Sequence, residues 1–235
     1  MKKLLAFTLA ETLIVMGIIG VVAALTLPNL NSSTGDKEKV AKVKKIYQNL
    51  NDAVGRAEAV YGPMGEWFAN DSNAKDKSKR IGERLTEFMK VSKNCAMQTN
   101  KGCFASTFYY LGENSGDNSD DQDANVYKVI LADGTSIGLS GRENYLHITV
   151  DIDGPNKGAS MYNRDIFGFV SINNKELLPE GYDLTGNFGR NDCLWGSPCT
   201  AWVIKNDNMD YLKVGNDGKC PNNVQLNWDT QTSCK

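Results

Sequence analysis

The sequence holds a single histidine, His147, and no C-x-x-C pair, so a structural zinc site of the usual Cys/His kind has no ligand set. No G-x-S-x-G, H-E-x-x-H or P-loop string occurs, and those strings are where an activated nucleophile, a metal-bound water or a phosphate cradle shows itself. A basic excess is also lacking. Lys and Arg number 26 against 28 Asp and Glu, for a formal charge of -2, with no basic stripe interleaved with aromatics. Nucleic acid is a poor partner for such a chain. No cysteine precedes Cys95, yet six lie between there and Cys234. An even number confined to one part of the chain suits disulfides in an oxidising compartment. No internal repeat is visible. The 235 residues carry ordinary charged and apolar fractions, which fits a folded chain of one large or two small domains.

What is present starts at the N-terminus. Lys2 and Lys3 precede an apolar stretch from Leu4 to Leu27, broken only by Glu11 and the mild Thr8, Thr12 and Thr26. As a helix, residues 7–27 would measure roughly 30 Å, about one bilayer core. The two lysines place the short N-terminus on the cytoplasmic side. A secretory signal peptide is the rival reading. Its apolar region is shorter and ends in small residues; Ala23-Ala24 offers such an end, but the run continues through Leu25 and Leu27. That reading also has no use for Glu11. A carboxylate within an apolar span costs about 2.5–3.5 kcal/mol on insertion scales and marks function by default. The bland alternative is a charge near the helix end that reaches the headgroups.

The string Ala6-Phe7-Thr8-Leu9-Ala10-Glu11, followed by Thr12-Leu13-Ile14-Val15-Met16-Gly17-Ile18-Ile19-Gly20, closely resembles the prepilin signature of type IV pilins and type II secretion pseudopilins. The resemblance covers residues 1–30. It implies a leader (1–6) removed by a prepilin peptidase between Ala6 and Phe7, N-methylation of Phe7, and Glu11 in the family's glutamate position. The family usually has glycine before the cut, where this chain has Ala6. The implied role is structural and non-enzymatic, with no cofactor. The chain would be a subunit of a type IV pilus or type II secretion pseudopilus, held in the bacterial inner membrane by one pass with its head extracytoplasmic. An inner-membrane assembly platform would pack it against homologous pilin or pseudopilin subunits. The alternative is a minor or tip pilin, or a membrane-anchored ectodomain, that binds a ligand as an adhesin does.

Physical chemistry gives the signature a rationale. Cleavage before Phe7 leaves a cationic amine beside the apolar layer, and a buried cation needs a partner. In staggered parallel helices, Glu11 of one subunit can reach the Phe7 amine of the next, and only one stagger neutralises both charges. Gly17 and Gly20 lower helix propensity or offer small packing faces. Pro28 lacks a backbone donor, and in the pilins that this chain resembles the matching proline kinks the long helix; a kink near Pro28 is expected here.

The expected organisation is a span at 7–30, an amphipathic continuation at 31–62 and a head at 63–235. Asn31 to Asp36 reads as a turn-like break, with Ser33, Thr34 or Asp36 as N-cap. Beyond it, Val40, Val43, Ile46/Tyr47, Leu50, Val54, Ala57 and Val60/Tyr61 recur at steps of three and four, one helical stripe that should dock on the head. Lys37, Lys39, Lys42, Lys44 and Lys45 read as a solvated face or one laid over anionic headgroups. Gly62-Pro63 stops the helix. A second amphipathic helix is expected near residues 75–91, carrying Ile81, Leu85, Phe88 and Met89, and a polar acidic loop at 112–125. The period then shortens. Residues 127–131, the Asp133-Gly134 turn and residues 135–139 read as a hairpin. Residues 145–153 alternate, with Leu146, Ile148, Val150 and Ile152 on one face and Tyr145, His147, Thr149, Asp151 and Asp153 on the other. Residues 166–172 and 200–205 read as further strands. Helices first and strands later indicate α+β: an N-terminal helix on an antiparallel sheet, with disulfide-stapled loops.

The cysteines lie as near neighbours: Cys95/Cys103, Cys193/Cys199 and Cys220/Cys234. Neighbour pairing is the expectation among the 15 connectivities that six allow. Asp151, Asp153, Asn156 and downstream Asp165 form an oxygen-rich group for which calcium would be the natural cation. The EF-hand pattern fails there, because Pro155 stands where a ligand should and no glutamate closes the loop, and turn chemistry is the preferred reading. His147 is expected to be solvated. Trp195, Trp202 and Trp228 are expected as core or loop anchors rather than a sugar platform.

Overall fold

The structure, a computed structural model, describes residues 9–68, 71–111, 116–142, 145–172, 176–194, 196–215 and 217–235, without the side chains of 23–34, 172 and 190. In chain order the elements are helices α1 (Leu9–Tyr61) and α2 (Ala74–Thr86), strands β1 (Val91–Ala96), β2 (Thr107–Tyr109), β3 (Gly116–Asn118), β4 (Tyr127–Leu131), β5 (Ser136–Gly141), β6 (Tyr145–Asp151), β7 (Ser160–Met161), β8 (Ile166–Ile172) and β9 (Glu176–Pro179), and helix α3 (Cys199–Asn206). The fold is α+β. Two compact units are distinguished, Met1–Glu38 and Lys39–Lys235. In the first, the described residues form the beginning of α1.

The second unit is built on a six-stranded antiparallel sheet of order β1-β4-β5-β6-β8-β9. Strand alternation gives it two unlike faces. Across β4, β5, β6 and β8, one row runs Val129, Ile137, Val150, Phe167 and the next Tyr127, Leu139, Ile148, Phe169. This is the apolar face. The α1 stripe packs into the same core through Val40, Val43, Ile46, Leu50, Ala53, Val54 and Ala57. Tyr47 stacks on Phe169 at 5.2 Å, and its hydroxyl donates to the Leu177 carbonyl. The stripe ends at Tyr61, partly buried and edge-on to Phe88, while Val60 is 62% exposed. Gly62 then ends the helix as expected. At φ +80° it adopts the left-handed conformation that glycine accepts most readily, and its N–H closes on the Glu58 carbonyl. The helix α2, capped by Asn73, buries Ile81 and Leu85.

The opposite face carries the row Lys128, Gly138, Thr149, Gly168. It faces a second core of Cys95, Cys103, Phe104, Phe108 and Ile166, with Ile130 and Tyr162 packed against it. The three-stranded sheet β3-β2-β7 supplies Phe108, and its β2–β7 pairing is parallel.

Several expectations need correction. α1 is helical through residues 31–36, where a break was expected. Asn, Ser, Thr and Asp each cost a helix only about 0.5–0.7 kcal/mol and Gly35 about 1 kcal/mol, and a helix nucleated on its docked turns propagates through them. The expected kink at Pro28 falls among residues whose side chains lie outside those described. Residues 200–205 are helix, not strand. A short apolar run does not reveal its period; here Pro198 starts a helical turn that Asp207, in the left-handed conformation, closes. The second helix ends at Thr86, and Val91 to Ala96 is instead an edge strand, β1. Within the acidic loop lie β3 and a 3-10 turn at Asp120–Gln122.

Candidate functional site

The first described turns of α1 form an unusual surface. Leu9, Leu13, Ile14, Val15, Met16, Ile18, Ile19, Val21 and Val22 are each 53–81% exposed. Four of them are consecutive at 13–16, and at 100° per residue these alone go round the helix. Gly17 and Gly20 leave open space where a Cβ would stand. Glu11 lies in the first turn, where the helix dipole favours a negative charge. Ala6 and Phe7, the residues of the expected cleavage, lie outside the described residues. Among the described residues no helix is long and apolar enough to cross a membrane; the described side chains of this stretch end at Val22.

In the second unit, the oxygen-rich group at the end of β6 is gathered around lysines of α1. The Lys39 ammonium bonds to Asp165 and lies 3.4 Å from Asp153, while Lys42 donates to the Ile152 carbonyl. The lysine face expected to be solvated therefore turns partly inward, and Lys44 also reaches out, pairing with Asp207 at 2.7 Å. Among the four calcium candidates, Asp153 and Asp165 share Lys39 and Asn156 is exposed, and among the described residues no three His, Cys, Asp or Glu side chains are grouped so as to hold a metal ion. Asp151 is fully buried and accepts from the Asp153 and Gly154 N–H groups and from the Ser160 hydroxyl. The first two bonds are Asx-turn chemistry. Burial nevertheless dominates its titration, and its pKa rises to about 6. For Asp153, burial is outweighed by Lys39 and Lys157, which hold it below the ordinary range.

His147 is not free in solvent as expected. Its Nε2 lies 3.0 Å from Glu180 Oε1, while Glu180 Oε2 accepts from the Ser197 N–H. Burial alone would raise Glu180, but these donors hold it low. The polar side of β6 is covered because a second layer sits on that face, and alternation alone gives no warning of such a layer. Sequence reasoning also missed Asn163. Fully buried at φ +59°, it donates to the Cys193 and Gly196 carbonyls and accepts from the Cys199 N–H. No motif marks it beyond asparagine's tolerance of positive φ.

The three disulfides join neighbours, Cys95–Cys103, Cys193–Cys199 and Cys220–Cys234. Asp210 pins the last loop by accepting from the Cys234 N–H. Trp202 and Trp228 are buried and packed against each other at 5.0 Å, serving as core anchors; Trp195 lies outside the described residues. Comparison with protein families, with curated proteins and with solved structures returns no match.

Proposed function

We propose that the chain is a membrane-inserted, filament-forming subunit, of the kind that type IV pili and type II secretion pseudopili are built from. The supporting observation is the beginning of α1, whose nine large apolar side chains are more than half exposed and point in every direction. A helix apolar all round is stable only when lipid or other protein covers it. Covering nine such side chains contributes on the order of 10 kcal/mol or more at about 1.5–3 kcal/mol each. In this reading α1 has an anchoring half and an amphipathic half. The anchoring half first sits in the inner-membrane bilayer and then exchanges lipid for the same helices of neighbouring subunits. Glu11 pairs with the methylated Phe7 amine of the next subunit once a prepilin peptidase has removed residues 1–6, and the assembly platform stacks the subunits. The disulfides suit a head displayed outside the cytoplasm. An adhesive role through C-terminal tryptophans has less to offer, since Trp202 and Trp228 are buried. Intact-mass measurement of the membrane-extracted protein tests the proposal: a chain beginning at methyl-Phe7 supports it, and one that keeps residues 1–6 overturns it.

A further inference from the structure

Two neighbouring aspartates in the 3-10 turn Asp120–Gln122 meet opposite surroundings. Asp121 is buried and accepts three backbone N–H bonds, from Gly102 at 3.0 Å, Cys103 at 2.8 Å and Phe104 at 3.3 Å. It thereby holds the loop closed by Cys95–Cys103. Asp120 points the other way, onto the sheet. A Cβ built on Gly138 of β5 would lie 2.5 Å from Asp120 Oδ2, 3.1 Å from Val126 and 3.3 Å from Phe104. The glycine thus makes the notch that receives this carboxyl group. Asp120 Oδ2 is buried there and accepts no hydrogen bond. Thr149 hydrogen-bonds the same carboxyl group, but a carboxylate with one buried oxygen unpartnered is still costlier than the neutral acid.

The charged and titratable groups around the notch come from several elements. Lys128 of β4 is fully buried, and its ammonium donates to the Asp123 carbonyl on the same turn. From β6 come His147, already engaged by Glu180, and the neutral Thr149, which shares the cross-strand row with Gly138 and hydrogen-bonds Asp120. Tyr162 packs against the second core, and Asp121 and Asp123 belong to the turn itself. Burial raises Asp120 most; Thr149, His147 and Lys128 pull it down, Asp123 pushes it up, and the balance lies above the ordinary aspartate range.

We infer that Asp120 is a proton-sensitive latch: the turn from Ser119 to Asp123 stays seated on β5 while Asp120 carries its proton, and loosens once the proton is lost. Because Asp121 on the same turn holds the amides of Gly102, Cys103 and Phe104, their protection reports the state of the latch. The sign follows from linkage. The lifted turn has an ordinary aspartate, so opening grows with pH from the ordinary range up to the midpoint of the seated group, and levels off above it. The rise is up to about tenfold per pH unit, the slope of one linked proton.

Hydrogen exchange of the full-length chain in detergent micelles, corrected for intrinsic rates and followed from pH 4 to pH 9, tests this. The Cys103 and Phe104 amides should lose protection along that curve in the parent chain, and Asp120→Asn should make the curve flat. A carboxyl 13C titration should show one raised aspartate that disappears in Asp120→Asn. The inference is overturned if Asp120 titrates in the ordinary range, if the parent curve is flat, or if Asp120→Asn keeps the parent's pH dependence.

Discussion

Asp151 at the end of β6 gives a prediction whose size follows from the structure. Its pKa rises from 3.8 to about 6 in the folded chain, so the unfolded chain releases this proton first as pH climbs. By linkage, the folded state loses stability between pH 3.8 and about 6 and no further above that. The difference of 2.2 units amounts to about 3 kcal/mol at 1.36 kcal/mol per unit. Asp151→Asn removes the ionisation while keeping an acceptor for the Asp153 and Gly154 N–H groups, and its amide can turn toward the Ser160 hydroxyl. Weakened acceptance from those donors costs about 1 kcal/mol at either pH, so the variant should be about 2 kcal/mol more stable than the parent at pH 7.5 and slightly less stable than it at pH 4. Glu180 and Asp153 act in the opposite direction, since their depressed pKa values cost stability as pH falls. Subtracting the parent's curve from the variant's isolates Asp151. Urea unfolding at half-unit pH steps supplies both curves. A variant whose stability relative to its parent does not rise between pH 4 and pH 7.5 would refute the reasoning, because the three hydrogen bonds would then outweigh burial.

Leu50 of α1 is buried in the core shared with the sheet and Val60 is exposed. Leu50→Ala should therefore cost about 2–5 kcal/mol in urea unfolding, and Val60→Ala less than about 0.5 kcal/mol. Glu11→Leu should leave membrane fractionation unchanged and abolish sheared filaments. Parental filament yield from that variant would remove the register role given to Glu11.

The apolar face of the sheet was legible because the periods are strong and a single physical cause sets them. Leu146, Ile148, Val150 and Ile152 alternate, and residues 40–57 repeat every three to four, since each element buries one side. The hairpin at Asp133-Gly134 was legible from its turn residues, with Gly134 at φ +86°. Neighbour pairing of the cysteines also came out as expected, because short polar loops bring each pair together. The other face of the sheet was not legible. His147, Thr149 and Asp151 look solvent-facing by alternation, but a second layer covers them, assembled from strands of two or three residues too short to carry a period. The lysines of α1 misled for a related reason: Lys39 and Lys42 meet carboxylates and a carbonyl more than a hundred positions away, and no local pattern encodes such partners. In the N-terminal stretch, sequence and structure meet at one observation, an apolar helix exposed on all sides with an acid in its first turn.

The N-terminus of the protein recovered from membranes decides most directly what that helix is for. Top-down mass spectrometry should read a first residue of Phe7 carrying one added methyl group, with the apolar helix still attached and six hydrogens missing for three disulfides. A chain starting at Met1, or one cut beyond Ala23 so that the helix is gone, would contradict the account. Neither could offer a neighbouring Glu11 the cation it is proposed to meet.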